Sequence, residues 1–408
     1  MSLARKLAVL SDAAKYDASC ASSGAKPRNS LRSGGIGSAG GAGICHAYAP
    51  DGRCISLLKL LLTNFCVFDC AYCVNRSSSN VERARFSVEE VVALTMNFYR
   101  RNYIEGLFLS SGIIRNSDYT MEQSIAVARK LRLEENFRGY IHLKTIPGAS
   151  QDLIHEAGLY ADRLSINIEL ANDTSLASLA PEKDAGAIRQ TMGKLRYKMD
   201  AERERSKSRT GRRRFAPAGQ STQMIVGADS GKDSEILSQS VRLYGSYGLR
   251  RVYYSAFSPI PDSPAALPSK AAPLVREHRL YQADWLVRFY GFQLSEIADG
   301  MNDGMLDPAM DPKLAWAAAN RHLFPVDVNT ADREMLLRVP GMGVRSVSKI
   351  LSSRRFTRLR LDDVGRVCRN LKKIKPFVSC VDWKPSAVLD SEFLQSHCAA
   401  KPTQLALF

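Results

Sequence analysis

Nine cysteines are spread along the chain, and three fall within eight positions of "NFCVFDCAYCVNR", residues 64–76: Cys66, Cys70 and Cys73. Thiolates are soft ligands, and three separated by three and two residues can wrap one metal centre from a single loop. The spacing alone does not name the metal. A zinc site draws on four protein ligands, or three and a water, usually from cysteine pairs; here no fourth Cys or His follows nearby. A cubane iron–sulfur cluster on three thiolates keeps one iron open to an outside ligand, whereas electron-transfer clusters have four protein ligands. A structural zinc and three unrelated buried thiols stand as the alternatives.

The apolar run "ISLLKLLLT" (55–63) just before this loop predicts a buried strand whose C-terminal end carries chemistry. Further strand-like runs follow at 105–111, 139–146, 162–170, 222–228 and 251–260, with helical periodicity between them, as in "SVEEVVALTMNFYRR" and "SEILSQSVRLYGSYG". Six β/α repeats predict an α/β fold, a parallel sheet curled into a full or partial barrel with its active site at the C-terminal strand ends. One segment breaks the rhythm: 201–215, with seven basic and two acidic residues, reads as a mobile surface insertion.

The cysteine trio in this setting resembles the signature of the radical S-adenosylmethionine (SAM) superfamily, C-x3-C-x2-C after the first barrel strand, with an aromatic, here Tyr72, before the last cysteine. The resemblance spans residues 50–265 and implies a partial (β/α)6 barrel. It also implies a 4Fe–4S cluster on Cys66, Cys70 and Cys73 whose open iron binds SAM. One-electron reduction of the sulfonium would release a 5′-deoxyadenosyl radical, the electron coming from a donor such as flavodoxin or ferredoxin. Where the family often has Gly-Gly-Glu for the methionyl amine, this chain has Ser110, Ser111 and Gly112. Asn167 and Glu169 resemble the polar strand-end positions that hold the ribose hydroxyls, and a merely alternating polar strand is the other reading. Gly227 in "MIVGADSGKDSEI" resembles the glycine that lets the backbone approach adenine. Cys20, Cys45, Cys54 and His46 precede the trio at spacings that match no ligand motif, and buried thiols are the expectation.

The chain of 408 residues carries a formal charge of +16, and residues 321–375 hold fourteen Lys or Arg against five Asp or Glu. That imbalance favours a polyanionic partner over an acidic small molecule. Within it, "DVNTADREMLLRVPGMGVRSVSKIL" (327–351) predicts a helix from Asn329 or Thr330, a Pro-Gly-Met-Gly turn and a second helix. This resembles the helix-hairpin-helix DNA-binding motif, and the resemblance implies backbone amides at Gly341 and Gly343 on a phosphate, with Arg345 and Lys349 alongside. An ordinary helical hairpin is the alternative. The final residues Gln404, Leu405, Leu407 and Phe408 resemble the QLxLF peptide that attaches bacterial repair proteins to the sliding clamp, unless the tail packs on its own domain.

The domain order read from these signals is a Gly/Ser-rich segment (1–49), a barrel (50–265), a helical connector (266–323), an all-α helix-hairpin-helix module (324–380) and a tail (381–408). The whole resembles an uncharacterised bacterial family of radical SAM proteins regarded as DNA repair or modification enzymes, its reaction subclass open. RNA modification and a clamp-tethered DNA-binding adaptor with a structural metal are the rivals. No secretory signal and no run of about 20 apolar residues is present, so a cytoplasmic location is expected, with no membrane partner. In that reducing compartment the cysteines point to metal chemistry rather than disulfides.

Overall fold

The computed structural model describes residues 1–14, 44–48, 54–206 and 215–385. Cys20, most of the Gly/Ser-rich segment, residues 207–214 of the basic insertion, Cys398 and the tail 404–408 lie outside them, as do the side chains of His46 and Cys54. Two compact units divide the chain: residues 1–231 with 239–272, and residues 232–238 with 273–408.

The first unit begins with α1 (Leu3–Ala14) and is built on one seven-stranded sheet. Its strands run in sequence order: β1 (Ile44–Tyr48), β2 (Cys54–Leu61), β3 (Gly106–Ser110), β4 (Tyr140–Lys144), β5 (Arg163–Ser165), β6 (Gln220–Val226) and β7 (Arg251–Ala256). Strands β2 to β7 are mutually parallel, and β1 pairs antiparallel with β2. The helices that return the chain are α2 (Val88–Arg100), α3 (Ser117–Leu133), α4 (Gln151–Tyr160), α5 (Asp173–Leu179), α6 (Ala185–Ser206) and α7 (Asp233–Tyr247), whose first turn counts with the second unit. Helices covering a parallel sheet leave its strands buried on both faces, which is why β3 is buried along its whole length. Local chemistry sets the helix starts: Ser87 and Glu90 form a reciprocal capping box on α2, and Asn116 caps α3.

Two sequence expectations change here. Residues 201–206, read as part of a mobile insertion, are the last turns of α6. The strand expected over 162–170 is regular only to Ser165; beyond it Glu169 takes a left-handed φ of 66° while still bridging to Met224. At the N-terminal end of the sheet, Cys45 packs with Leu57 and Phe108, a buried thiol as expected.

The second unit contains α8 (Leu274–Tyr290), α9 (Leu294–Asp299), a small hairpin of β8 (Met301–Asn302) and β9 (Met305–Leu306), α10 (Pro312–Ala319), β10 (Val326–Asp327), α11 (Arg333–Arg338), α12 (Val344–Ser353), α13 (Leu361–Val367), α14 (Leu371–Ile374) and β11 (Val378–Ser379). The module expected to be all-α is clipped at its ends by the parallel pair β10–β11. Its first helix starts at Arg333, capped by Asp332, rather than at Asn329 or Thr330, because Asp327 holds the Asn329 amide and Thr330 hydroxyl in a turn. No helix among the described residues is long and apolar enough to cross a membrane.

Candidate cluster and cofactor site

The loop after β2 is shaped by its own main chain. Arg83 spreads one guanidinium over the carbonyls of Asn64, Asn75 (2.9 Å), Arg76 (2.6 Å) and Ser79 (2.9 Å). Asn64 clamps the returning strand through Glu82 and Ala84, both at 2.8 Å. Asp69 accepts from the Ser78 amide at 2.9 Å and from the Ser77 hydroxyl at 3.1 Å, and these bonds hold its carboxyl below the usual range. The loop is laced to the end of β3: Gly112 N–H donates to Thr63 O and Val67 N–H to Ile113 O, each at 2.8 Å, and Ile113 N–H points at Cys66 Sγ from 3.4 Å.

Cys66, Cys70 and Cys73 line one cavity at the C-terminal ends of the strands, together with Ser110, Ser111, Gly112, Asn167 and Glu169. Eight of the nine residues singled out for cluster and cofactor thus meet in one place; Gly227, with a φ of 80°, is not among its lining residues. Burial pushes the Cys70 thiol up to about 12; Lys183 opposes this, and Cys73 and Cys66 add to it. Ligation by a metal would draw protons from such thiols. Among the described residues no three His, Cys, Asp or Glu side chains converge on one metal-ion position.

Sequence reasoning missed Lys183. Its Nζ lies 2.5 Å from Glu169 Oε1, 3.3 Å from Tyr72 OH and 5.6 Å from the Tyr72 ring centroid. Burial works to lower its pKa, but the Glu169 carboxylate, with Tyr72 and Cys70, outweighs that and holds it well above the ordinary lysine value. Glu169 is 7% exposed, and among the described residues its other oxygen meets only Asn167 Nδ2, at 3.4 Å, so acceptor capacity remains. Lys183 sits in "APEKD", between α5 and α6, fourteen residues from its partner; no periodic pattern marks it.

Three buried polar atoms of cavity-lining side chains, Ser110 Oγ, Gln223 Oε1 and Asn75 Oδ1, have no hydrogen-bond partner among the described residues. Buried polar groups are rarely left so, and a polar ligand in the cavity would satisfy them. Ile113, Ile146, Ile166 and Ile225 supply an apolar wall. Thiol donors, orphaned polar atoms and a dry wall together fit an iron–sulfur cluster with a polar cofactor beside it.

In the second unit, Gly341 takes a φ of 85° in the turn between α11 and α12 and is exposed. Neither its amide nor that of Gly343 donates to another described residue. Arg345 and Lys349 are exposed on α12 and form no ion pair among the described residues. The four predicted residues therefore lie on one helix and the turn that leads into it.

Residues 60–199, from the end of β2 into α6, match the family model of the Radical SAM superfamily. No curated protein sequence matches the chain. Among solved structures, the chain is similar to the FeFe-hydrogenase maturase HydG from Carboxydothermus hydrogenoformans, at 15% identity and a TM-score of 0.42, covering 57% of this chain and 51% of that one. It is also similar to methylornithine synthase, PylB, at 15% identity and a TM-score of 0.41, covering 56% and 62%. The chain spans about half the length of the HydG chains it matches.

Proposed function

We propose, from the premise that residues 60–199 are a radical SAM domain using a 4Fe–4S cluster and S-adenosylmethionine, that this protein is a radical enzyme acting on DNA. The observation that carries the enzyme half is the shared cavity of Cys66, Cys70, Cys73 and the orphaned Ser110, Asn75 and Gln223 atoms. The cluster, when bound, would supply an electron to the sulfonium and so release a 5′-deoxyadenosyl radical, the usual reductant being flavodoxin or ferredoxin. In this reading the three thiolates hold three irons, and Ser110, Ser111 and the Gly112 main chain receive the methionyl end. Asn167 and the free side of Glu169 accept the ribose hydroxyls, and Lys183 holds Glu169 in place. The isoleucine wall excludes water from the reacting atoms.

Support for nucleic acid comes from the second unit: a turn whose Gly341 and Gly343 amides, and a following helix whose Arg345 and Lys349, have no partner among the described residues. We read this as a helix-hairpin-helix motif that grips phosphates without reading sequence. A target base would then be flipped to meet the radical. The tail Gln404, Leu405, Leu407 and Phe408 is read as a sliding-clamp peptide.

The test is reductive SAM cleavage by the anaerobically reconstituted protein, with 5′-deoxyadenosine as readout, in wild type and in Cys66→Ala, Cys70→Ala and Cys73→Ala. Each variant should lose both the brown chromophore and cleavage, while Cys368→Ala keeps them. Affinities for duplex DNA, single-stranded DNA and tRNA at matched salt then separate DNA from RNA as substrate. A normal cluster in any of the three variants overturns the enzyme reading.

A further inference from the structure

The second unit holds a cavity of 420 Å³ that the phosphate grip leaves unused. It is lined by Tyr281, Trp285 and Tyr290 of α8, by Lys313 at the start of α10 and by Gly341 to Gly343 of the turn. Trp285 is 49% exposed, with Phe289 packed behind it at 4.4 Å between ring centroids. Trp316 is 3% exposed, and the Trp383 indole donates to Lys375 O at 3.0 Å. A half-exposed indole beside a formed cavity offers a flat face on which a planar group can stack.

The cavity is also rigidly joined to the turn. Lys313 Nζ donates to Met342 O at 2.6 Å and lies 4.9 Å from the Tyr290 ring centroid, so the aromatic wall and the turn's amides are held in register by one side chain. Charge around the cavity narrows the choice of occupant: Asp311, which also lines it, is paired with Lys373, and the basic groups other than Lys313 lie just beyond the lining. The segment 321–375 is strongly basic, and Arg345 and Lys349, on the helix that begins at this turn, have no ion-pair partner among the described residues. A planar group attached to a phosphate meets both demands, whereas an apolar peptide meets only the first.

We infer that this cavity takes one unstacked nucleobase, laid against Trp285 while its backbone phosphate sits on the Gly341–Gly343 turn. The inference rests on the nucleic-acid reading above. Aromatic stacking is open to every base, so the site would distinguish unpaired from paired nucleotides and not one sequence from another. It would mark the enzyme's preference for DNA that is locally open, such as a gap, a bulge or a single strand.

The experiment follows tryptophan emission and, in parallel, the anisotropy of a labelled oligonucleotide, as the full-length protein is titrated with oligo(dT) and with a matched duplex. Wild type should show quenched emission with oligo(dT). Trp285→Leu should bind oligo(dT) about tenfold or more weakly yet bind duplex within about twofold of wild type. Trp285→Phe, which keeps the ring, should retain most of the affinity and lose the quench. If wild type binds oligo(dT) without quenching, or Trp285→Leu binds it as tightly as wild type, the inference falls and the phosphate grip stands. Flat anisotropy for every nucleic acid overturns the parent reading and this one together. Circular dichroism of both variants excludes misfolding as the cause of a loss.

Discussion

Substituting Gly112 by Ala tests how tightly the cysteine loop is tied to the sheet. A Cβ there would stand 2.3 Å from Phe65 O and 3.2 Å from Thr63 O, and real Cβ contacts essentially never close below 3.0 Å. The neighbour is main chain, so residues 63–65 and 110–113 must part by about 0.7 Å or more. Three contacts cross that gap: Gly112 N–H to Thr63 O, Val67 N–H to Ile113 O, and Ile113 N–H toward Cys66 Sγ. Overpacking costs about 1–3 kcal/mol, and each backbone bond lost about 1 kcal/mol more, so a loss of about 2–4 kcal/mol is expected. For a unit of this size that lowers Tm by roughly 4–8 °C. Cys66, the residue next to the collision, should shift as well, and iron uptake per chain after anaerobic reconstitution should fall. Gly245→Ala is the control: its Cβ meets nothing within 4 Å, and on exposed helix it should stabilise by up to about 1 kcal/mol. A Gly112→Ala protein with full iron content and wild-type Tm would refute the reasoning.

Lys183→Met should destabilise the first unit by about 3–5 kcal/mol by stranding the buried Glu169 carboxylate, and adding Glu169→Gln should recover part of it; denaturant midpoints of the three variants measure this. Lys313 gives a pH signature. Burial pushes its ammonium down to about 7, with Asp311 resisting, while an unfolded lysine titrates near 10.5. Between those values the unfolded chain binds the proton that the folded chain has released, so the stability of the second unit should rise with pH across that window. The cost of burying the charge is in full force below pH 7. Denaturation from about pH 6 to about pH 9 should show this slope in wild type and a flatter one in Lys313→Met. Deleting residues 404–408 should abolish binding to a bacterial sliding clamp in a calorimetric titration while leaving the cluster intact. Equal binding by intact and truncated protein would dispose of the clamp peptide.

All six parallel strands are legible in the sequence because apolar runs bounded by helical periodicity leave little else to form. The antiparallel β1 is not: "ICHAY" is five residues beside a glycine-rich stretch, and only its pairing with β2 defines it. Most of α6 escapes for the opposite reason. "RYKMDAERERS" is polar on most of its surface, and such a helix carries no stripe to read. The site divides in the same way. The thiols announce themselves by spacing, whereas Lys183, Arg83 and Asn64 act on partners that only the fold brings near. Gly112 was legible as a position but not in its reason: the sequence suggests a cofactor contact, and the geometry adds a steric one against Phe65.

Arg83 reaches four carbonyls of the cysteine loop, and Asn64 and Asp69 fasten its two flanks. None of these bonds involves a thiol. The shape of the loop is therefore carried by side chains that iron does not touch, unlike small metal-folded domains, whose chain collapses only around the ion. A cluster destroyed by oxygen would leave behind an intact socket rather than a denatured segment. Refilling it would be a matter of iron and sulfide supply, with no folding barrier to cross, and one polypeptide could outlive several clusters.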